Sequence, residues 1–149
     1  MPETAGGREF TRVLVVEDDY AAARLFQLAF KSLDCETTVI LAEDGPTALN
    51  ILREDGGGSS VPPELVVLDL DLPGQSGLNL LREFRSTDAF STLPVVVFSN
   101  HDEQEIIDQC YAAGANAYIV KPDDYVGLTD VARQLSSFWG ADQLRLPSS

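Results

Sequence analysis

Five short apolar runs recur along this chain, at residues 13–16, 37–41, 65–68, 95–98 and 117–120. Several are unbroken and β-branched, the pattern of strands buried on both faces rather than wetted on one. Between and after them, apolar positions fall at helical spacing. Ala22, Leu25, Phe26, Ala29 and Leu33 share one predicted face, and Leu80, Leu81 and Phe84 another. Ile106, Ile107, Cys110, Tyr111 and Gly114 form a third stripe, and Leu128, Val131, Ala132, Leu135, Phe138 and Trp139 a last one. Asp44-Gly45-Pro46-Thr47-Ala48-Leu49 opens a shorter helix, with Pro46 near its first turn where a missing N–H costs nothing. Strand and helix alternating five times predict an α/β domain: a five-stranded parallel sheet with helices on both faces.

At 149 residues the chain fits one domain and can bury a core without staples. The low-complexity stretch Gly56-Gly57-Gly58-Ser59-Ser60, followed by Pro62-Pro63, reads as a flexible surface loop before the third strand. It does not read as a linker, because neither side alone could build a closed sheet. The predicted organisation is a flexible N-terminus over 1–10, the domain over 11–140 and a short tail over 141–149.

Composition narrows the function. A net charge of −14 argues against direct binding to DNA, which requires a cationic surface, and favours basic partners or divalent cations. The longest apolar runs are far short of a membrane span, and residues 1–7 show neither a cationic start nor an apolar stretch. Cys35 and Cys110 sit among apolar residues and suggest buried or half-buried thiols rather than a disulfide framework. The expected address is the cytoplasm.

In an open parallel sheet the binding crevice lies beyond the carboxyl ends of the strands, so the residues just after each apolar run are informative. Glu17-Asp18-Asp19 succeeds the first, Asp69-Leu70-Asp71-Leu72-Pro73-Gly74 the third, Ser99-Asn100-His101 the fourth and Lys121-Pro122 the fifth. Glu43-Asp44-Gly45, after the second, reads as a helix start. Each piece has a plain structural explanation. Asp18 or Asp19 can cap a helix, and Ser99 and Lys121 alone are ordinary loop residues. Together they place several carboxylates, a hydroxyl and an ammonium on one rim. Crowded carboxylates repel, and a fold tolerates them best with a cation between them. Carboxylates, a carbonyl and waters are the ligands Mg²⁺ takes, and Lys121 opposite them supplies the other half of a phosphate clamp.

Val15-Val16-Glu17-Asp18-Asp19, then 68–77 (Leu-Asp-Leu-Asp-Leu-Pro-Gly-Gln-Ser-Gly), Val97-Phe98-Ser99-Asn100 and Tyr118-Ile119-Val120-Lys121-Pro122 together resemble the receiver domain of bacterial response regulators. The likeness covers nearly the whole chain. It implies the flavodoxin-like strand order 2-1-3-4-5. It makes Asp69 the phosphoacceptor and Mg²⁺ the cofactor, with Glu17, Asp18, Asp69 and the backbone carbonyl of Asp71 around the metal. Lys121 and Ser99 would hold phosphoryl oxygens, with Asn100 on the same rim. Tyr118 would be the aromatic switch that turns inward as Ser99 moves, although a tyrosine in a strand needs no such role.

Glu17 stands where aspartate is common, Ser99 where threonine is common, and Asp71 adds a carboxylate that can alter phosphoryl lifetime. His101, the only histidine, reads first as a solvated loop residue, with tuning of access to the site as the alternative. The C-terminal Ser137-Phe138-Trp139 and Leu146-Pro147 elements, and the insertion before the third strand, are similar to single-domain regulators that partner bacterial phytochrome histidine kinases. That resemblance implies a sensor histidine kinase as partner, bacterial phytochromes among the candidates. It also implies a homodimer, for which Ile106, Tyr111 and Trp139 are the proposed face. With only a short tail after the last helix, output is expected through protein contacts, without enzymatic activity beyond self-catalysed phosphoryl uptake and loss.

Two other readings use the same residues. Asp69-Leu70-Asp71 after a strand is also how haloacid-dehalogenase-type phosphatases begin, but their metal-binding acid pair comes late in the chain, whereas Glu17-Asp18 comes first here. Flavin binding suits this strand order too, but Glu17-Asp18-Asp19-Tyr20 would repel a phosphate.

Overall fold

The structure is a computed structural model that describes residues 12–33, 37–53 and 62–140, with side chains through 136. The five strands are β1 (Arg12–Val16), β2 (Thr38–Ala42), β3 (Leu65–Leu68), β4 (Val95–Ser99) and β5 (Ala117–Val120). They alternate with α1 (Tyr20–Lys31), α2 (Gly45–Arg53), α3 (Gly77–Ser86), α4 (Gln104–Ala112) and α5 (Tyr125–Gly140). All pairings are parallel and the order is β2-β1-β3-β4-β5, as the resemblance implied. One short element carries no periodic signature in the sequence, a 3-10 turn at Asp88–Phe90 between α3 and β4.

The strands divide the core by their period of two. Leu14, Val16, Val66, Leu68, Val95 and Val97 face α2, α3 and α4, packing with Leu49, Leu80, Leu81, Phe84 and Cys110. Val13, Val15, Leu65, Val67 and Val96 face α1 and α5, packing with Phe26, Phe30, Val131, Ala132 and Leu135. Burial on both sides explains the unbroken apolar runs. Cys110 is fully buried as expected, whereas Cys35 lies outside the described residues.

The predicted face of α1 is rotated. Ala23, Phe26, Ala29 and Phe30 are buried, while Leu25 is exposed. Two aromatic rings outweigh a leucine in buried area. Phe26 stacks on Phe98 with centroids 4.9 Å apart and meets Phe30 edge-on at 5.1 Å. Leu25 and Ala22 instead line a cavity of about 220 Å³ beside Phe98, Lys121, Pro122 and Tyr125.

Arg85 ties the lower rim of the sheet together. Its guanidinium donates to the carbonyls of Gly114 (3.0 and 2.9 Å), Phe90 (3.1 Å) and Leu93 (2.8 Å), and to Asn116 Oδ1 (3.0 Å). That planar fork joins α3, the 3-10 turn and the loops on either side. Gly114, with φ +109°, lies against the arginine stem, where a side chain would be both strained and crowded. Arg85→Ala should therefore lower unfolding stability by about 2 kcal/mol, because several carbonyls lose a charged donor at once. Arg85→Lys should recover less than half of it, since one ammonium cannot reproduce the fork. Urea denaturation decides this, and full recovery by lysine would reduce Arg85 to a point charge.

Candidate functional site

Register brings the acids together. Val16 pairs with Ala42 on one side and Leu68 on the other, so the residues that succeed β1 and β3 emerge side by side. Backbone bonds extend the ladder one step: Asp69 N–H donates to the Val16 carbonyl (3.0 Å), and Glu17 N–H to that of Ala42 (2.9 Å). Lys121 N–H donates to the Ser99 carbonyl (2.8 Å), fixing the fifth strand end against the fourth. The central strands β1 and β3 flank the point where the winding of the sheet reverses, where such folds open a crevice.

The two aspartates after β1 divide the work. Asp19 caps α1, its side chain accepting from Ala22 N–H (3.2 Å), so the capping explanation belongs to it and leaves Asp18 available to the rim. Glu17, only 8% exposed, accepts from Asp19 N–H (3.2 Å). Carboxylate oxygens of Glu17, Asp18 and Asp69 lie within 4.8 Å of one another, a set suited to a divalent cation. The loop after β3 is folded tightly enough to hold Asp69 there. Gly77 N–H donates to the Leu70 carbonyl (2.8 Å), and a Cβ on Gly77 would collide with the Asp69 carbonyl. Ser76 caps α3 through Asn79 N–H (3.1 Å).

Lys121 faces the acids. Its Nζ is 2.6 Å from Glu17 Oε1 and 3.6 Å from Asp69 Oδ2, and 5.9 Å from the centroid of the Phe98 ring. Burial opposes its charge, but Glu17 and Asp69 outweigh burial and hold its pKa above the ordinary lysine value. Asp69, 6% exposed, departs from a typical carboxylate. Burial pushes its pKa up to about 6, assisted by Glu17 and opposed by Lys121. A carboxylate this reluctant to carry charge is one that a cation or an esterifying group relieves.

The remaining predicted residues surround this charged centre. Ser99 is fully buried and Asn100 is exposed on the rim. Asp71 is exposed, its carboxylate turned to His101, whose Nε2 is 3.1 Å from both oxygens. His101 stays a partly exposed loop residue, and the contact gives it a partner on the neighbouring loop. Its bond to Asp71 raises the imidazole pKa despite some burial. Tyr118 is half-buried, its hydroxyl donating to the His101 carbonyl (2.6 Å), and burial pushes its phenol pKa up. On the proposed dimer face, Ile106 packs partly into the core, while Tyr111 is 40% exposed and accepts from Tyr118 N–H (3.1 Å) through its hydroxyl. The side chain of Trp139 lies outside the described residues. The sequence carries no signal for the Asp71–His101 contact, because a 30-residue separation hides it; only the shared rim hints at it.

A five-stranded parallel sheet of this order, with an acid triad and a lysine gathered on the rim beyond its strand ends, is the architecture of a receiver-type domain with a site suited to a divalent metal. The chain belongs to the response regulator receiver domain family, whose model matches residues 13–133. Response regulator Rcp1 of Synechocystis is 31% identical over 139 residues, covering 92% of this chain and 93% of that protein. The probable methanogenesis regulatory protein FilR2 of Methanothrix harundinacea is 31% identical over 128 residues, covering 85% of this chain and 82% of that one. Among solved structures, the phosphorylated cyanobacterial phytochrome response regulator RcpA superposes with a TM-score of 0.79 at 30% identity, covering 93% of this chain and 99% of that one. The Mn²⁺-bound form of Rcp1 gives 0.76 at 29% identity, with the same 93% and 99% coverage. The phosphatase reading finds no support: the acid pair directly follows β1, and the Asp71 carboxylate is engaged by His101. The family is that of two-component signalling proteins, which work with sensor histidine kinases, and the acid triad indicates a divalent metal site. No helix among the described residues is long and apolar enough to cross a membrane.

Proposed function

We propose that this chain is a phosphorylation switch that takes a phosphoryl group onto Asp69 from a sensor histidine kinase. The observation that carries the reading is the juxtaposition of three carboxylates within 4.8 Å with Lys121 on Glu17 and Asp69. Asp69 Oδ attacks phosphorus as the bond from phosphorus to the donor's imidazole nitrogen breaks, leaving an acyl phosphate and a free imidazole. Lys121 pairs with a phosphoryl oxygen, and the Ser99 hydroxyl donates to another. Glu17, Asp18, Asp69 and the Asp71 carbonyl would hold Mg²⁺, which when bound neutralises charge on the transferring oxygens. Because all these groups lie within residues 11–140, that span is the functional unit, and the donor supplies only a reactive phosphoryl.

The partner proposed is a bacterial phytochrome kinase, supported by the phytochrome regulator among the similar structures. A cytoplasmic address and a homodimer through the α4–β5–α5 side complete the reading, with exposed Tyr111 and Val120 in support. The decisive experiment is transfer from a panel of labelled kinases, phytochrome kinases included, with Asp69→Asn beside the wild type. Transfer to the wild type alone is expected; persistent labelling of Asp69→Asn would move the acceptor elsewhere. Sedimentation should show a dimer at micromolar concentration with or without a phosphate mimic, and a monomer in both would end the dimer proposal.

A further inference from the structure

Residue 101 is where three parts of the rim meet. Its backbone N–H donates to Ser99 Oγ (3.1 Å), and its carbonyl accepts from the Tyr118 hydroxyl (2.6 Å). Its imidazole Nε2 reaches both oxygens of Asp71 (3.1 Å each), across the crevice on the loop after β3. Nδ1 lies 3.7 Å from the carboxylate of Glu103, the residue preceding α4. A carboxylate accepts only, so Nε2 carries the proton, and it donates in the neutral ring as well as in the charged one. The contact therefore persists in the neutral ring.

The main chain of residue 101 thus links Ser99 to the Tyr118 hydroxyl through one hydrogen bond on each side. A single loop residue between two hydrogen bonds transmits movement well only if its own backbone is fixed. Here the side chain does the fixing, by anchoring to the loop that carries Asp69.

We propose that His101 is a positioning residue: its clasp on Asp71 holds the β4–α4 loop so that Ser99 and Tyr118 move together. This rests on the receiver reading above and names a part of its regulation. With the clasp released, phosphoryl-mimic binding must also order the loop, and it reaches Tyr118 less completely.

The test uses the full chain with 3-fluorotyrosine, the Tyr118 resonance assigned through Tyr118→Phe, and beryllofluoride with Mg²⁺ as the phosphate mimic. In wild type, beryllofluoride should shift the Tyr118 resonance. In His101→Ala and in Asp71→Ala, that shift should fall or broaden, and the beryllofluoride midpoint should weaken roughly three- to tenfold. The double variant should be no worse than either single one. The exchanged pair, Asp71→His with His101→Asp, should restore both readouts, which a loss of general stability would not allow; melting curves confirm that each variant folds. Unchanged shift and midpoint in both single variants would overturn the proposal, as would strictly additive losses. Failure of the receiver reading is separate: it shows as absence of labelling at Asp69 in wild type. The Tyr118 resonance of the untreated His101→Ala protein still reports then, and if it matches wild type the clasp fixes nothing.

Discussion

Asp69→Asn should stabilise the metal-free domain by about 2 kcal/mol at pH 8 while abolishing its labelling by acetyl phosphate. The cause is the buried carboxylate, whose pKa in the fold is about 6 against an ordinary 3.8. Between those values the folded chain holds a proton that the unfolded chain has released. Stability therefore falls as pH rises through that window, and the full cost is present above it. The amide carries no charge, so the difference between variant and wild type should grow from near zero at pH 4 to its full size by pH 7. Saturating Mg²⁺ should narrow the gap by stabilising the wild type alone, since a ligand that binds only the folded state shifts the equilibrium toward it. Urea denaturation in chelator across pH 4 to 8 measures the first effect, and repetition with Mg²⁺ the second. A variant no more stable than wild type at pH 8 would mean that Lys121 already offsets the burial of Asp69.

The fold is legible because its three central strands are buried on both faces, which leaves short β-branched apolar runs bounded by turn residues. The site is legible for a related reason. Side chains after parallel strands must emerge on one rim, so order along the chain translates directly into proximity. Glu17, Asp69, Ser99 and Lys121 can be placed this way because each is fixed by a strand end. The features that stay hidden depend on side-chain direction and size rather than on order. The rotation of α1 comes from Phe26 finding Phe98, a partner on a distant strand in no periodic relation to the helix. The bonds of Arg85 are hidden because its carbonyl partners are backbone atoms that no residue type announces. The partner of His101 stays hidden for the same reason, since it lies across a crevice that only the folded sheet closes.

Lys121→Met isolates the other half of the charge arrangement. Methionine keeps much of the stem beside Phe98 and removes the ammonium that sits 2.6 Å from Glu17 and 3.6 Å from Asp69. Two buried carboxylates would then face each other without a counter-charge, and losing one partner of a buried ion pair typically costs about 3 kcal/mol or more. The sign of its pH dependence comes from the lysine, whose pKa in the fold is raised. A raised lysine contributes stability below its unfolded value and loses it only as pH climbs through the folded one. The penalty of the variant should therefore be at full size near pH 8.5. Toward pH 5 it should shrink, because Asp69, with its raised pKa of about 6, then carries a proton and no longer repels Glu17. Equal losses at both pH values would assign the effect to packing of the stem against Phe98 instead of to charge. In function the two halves should separate as well. Mg²⁺ binding should survive in the variant, since the carboxylates remain and a repelling cation has gone. The response of Tyr118 to beryllofluoride should fail, because no ammonium remains to hold the bound group. A variant that kept that response would place the phosphoryl contact on a residue other than Lys121.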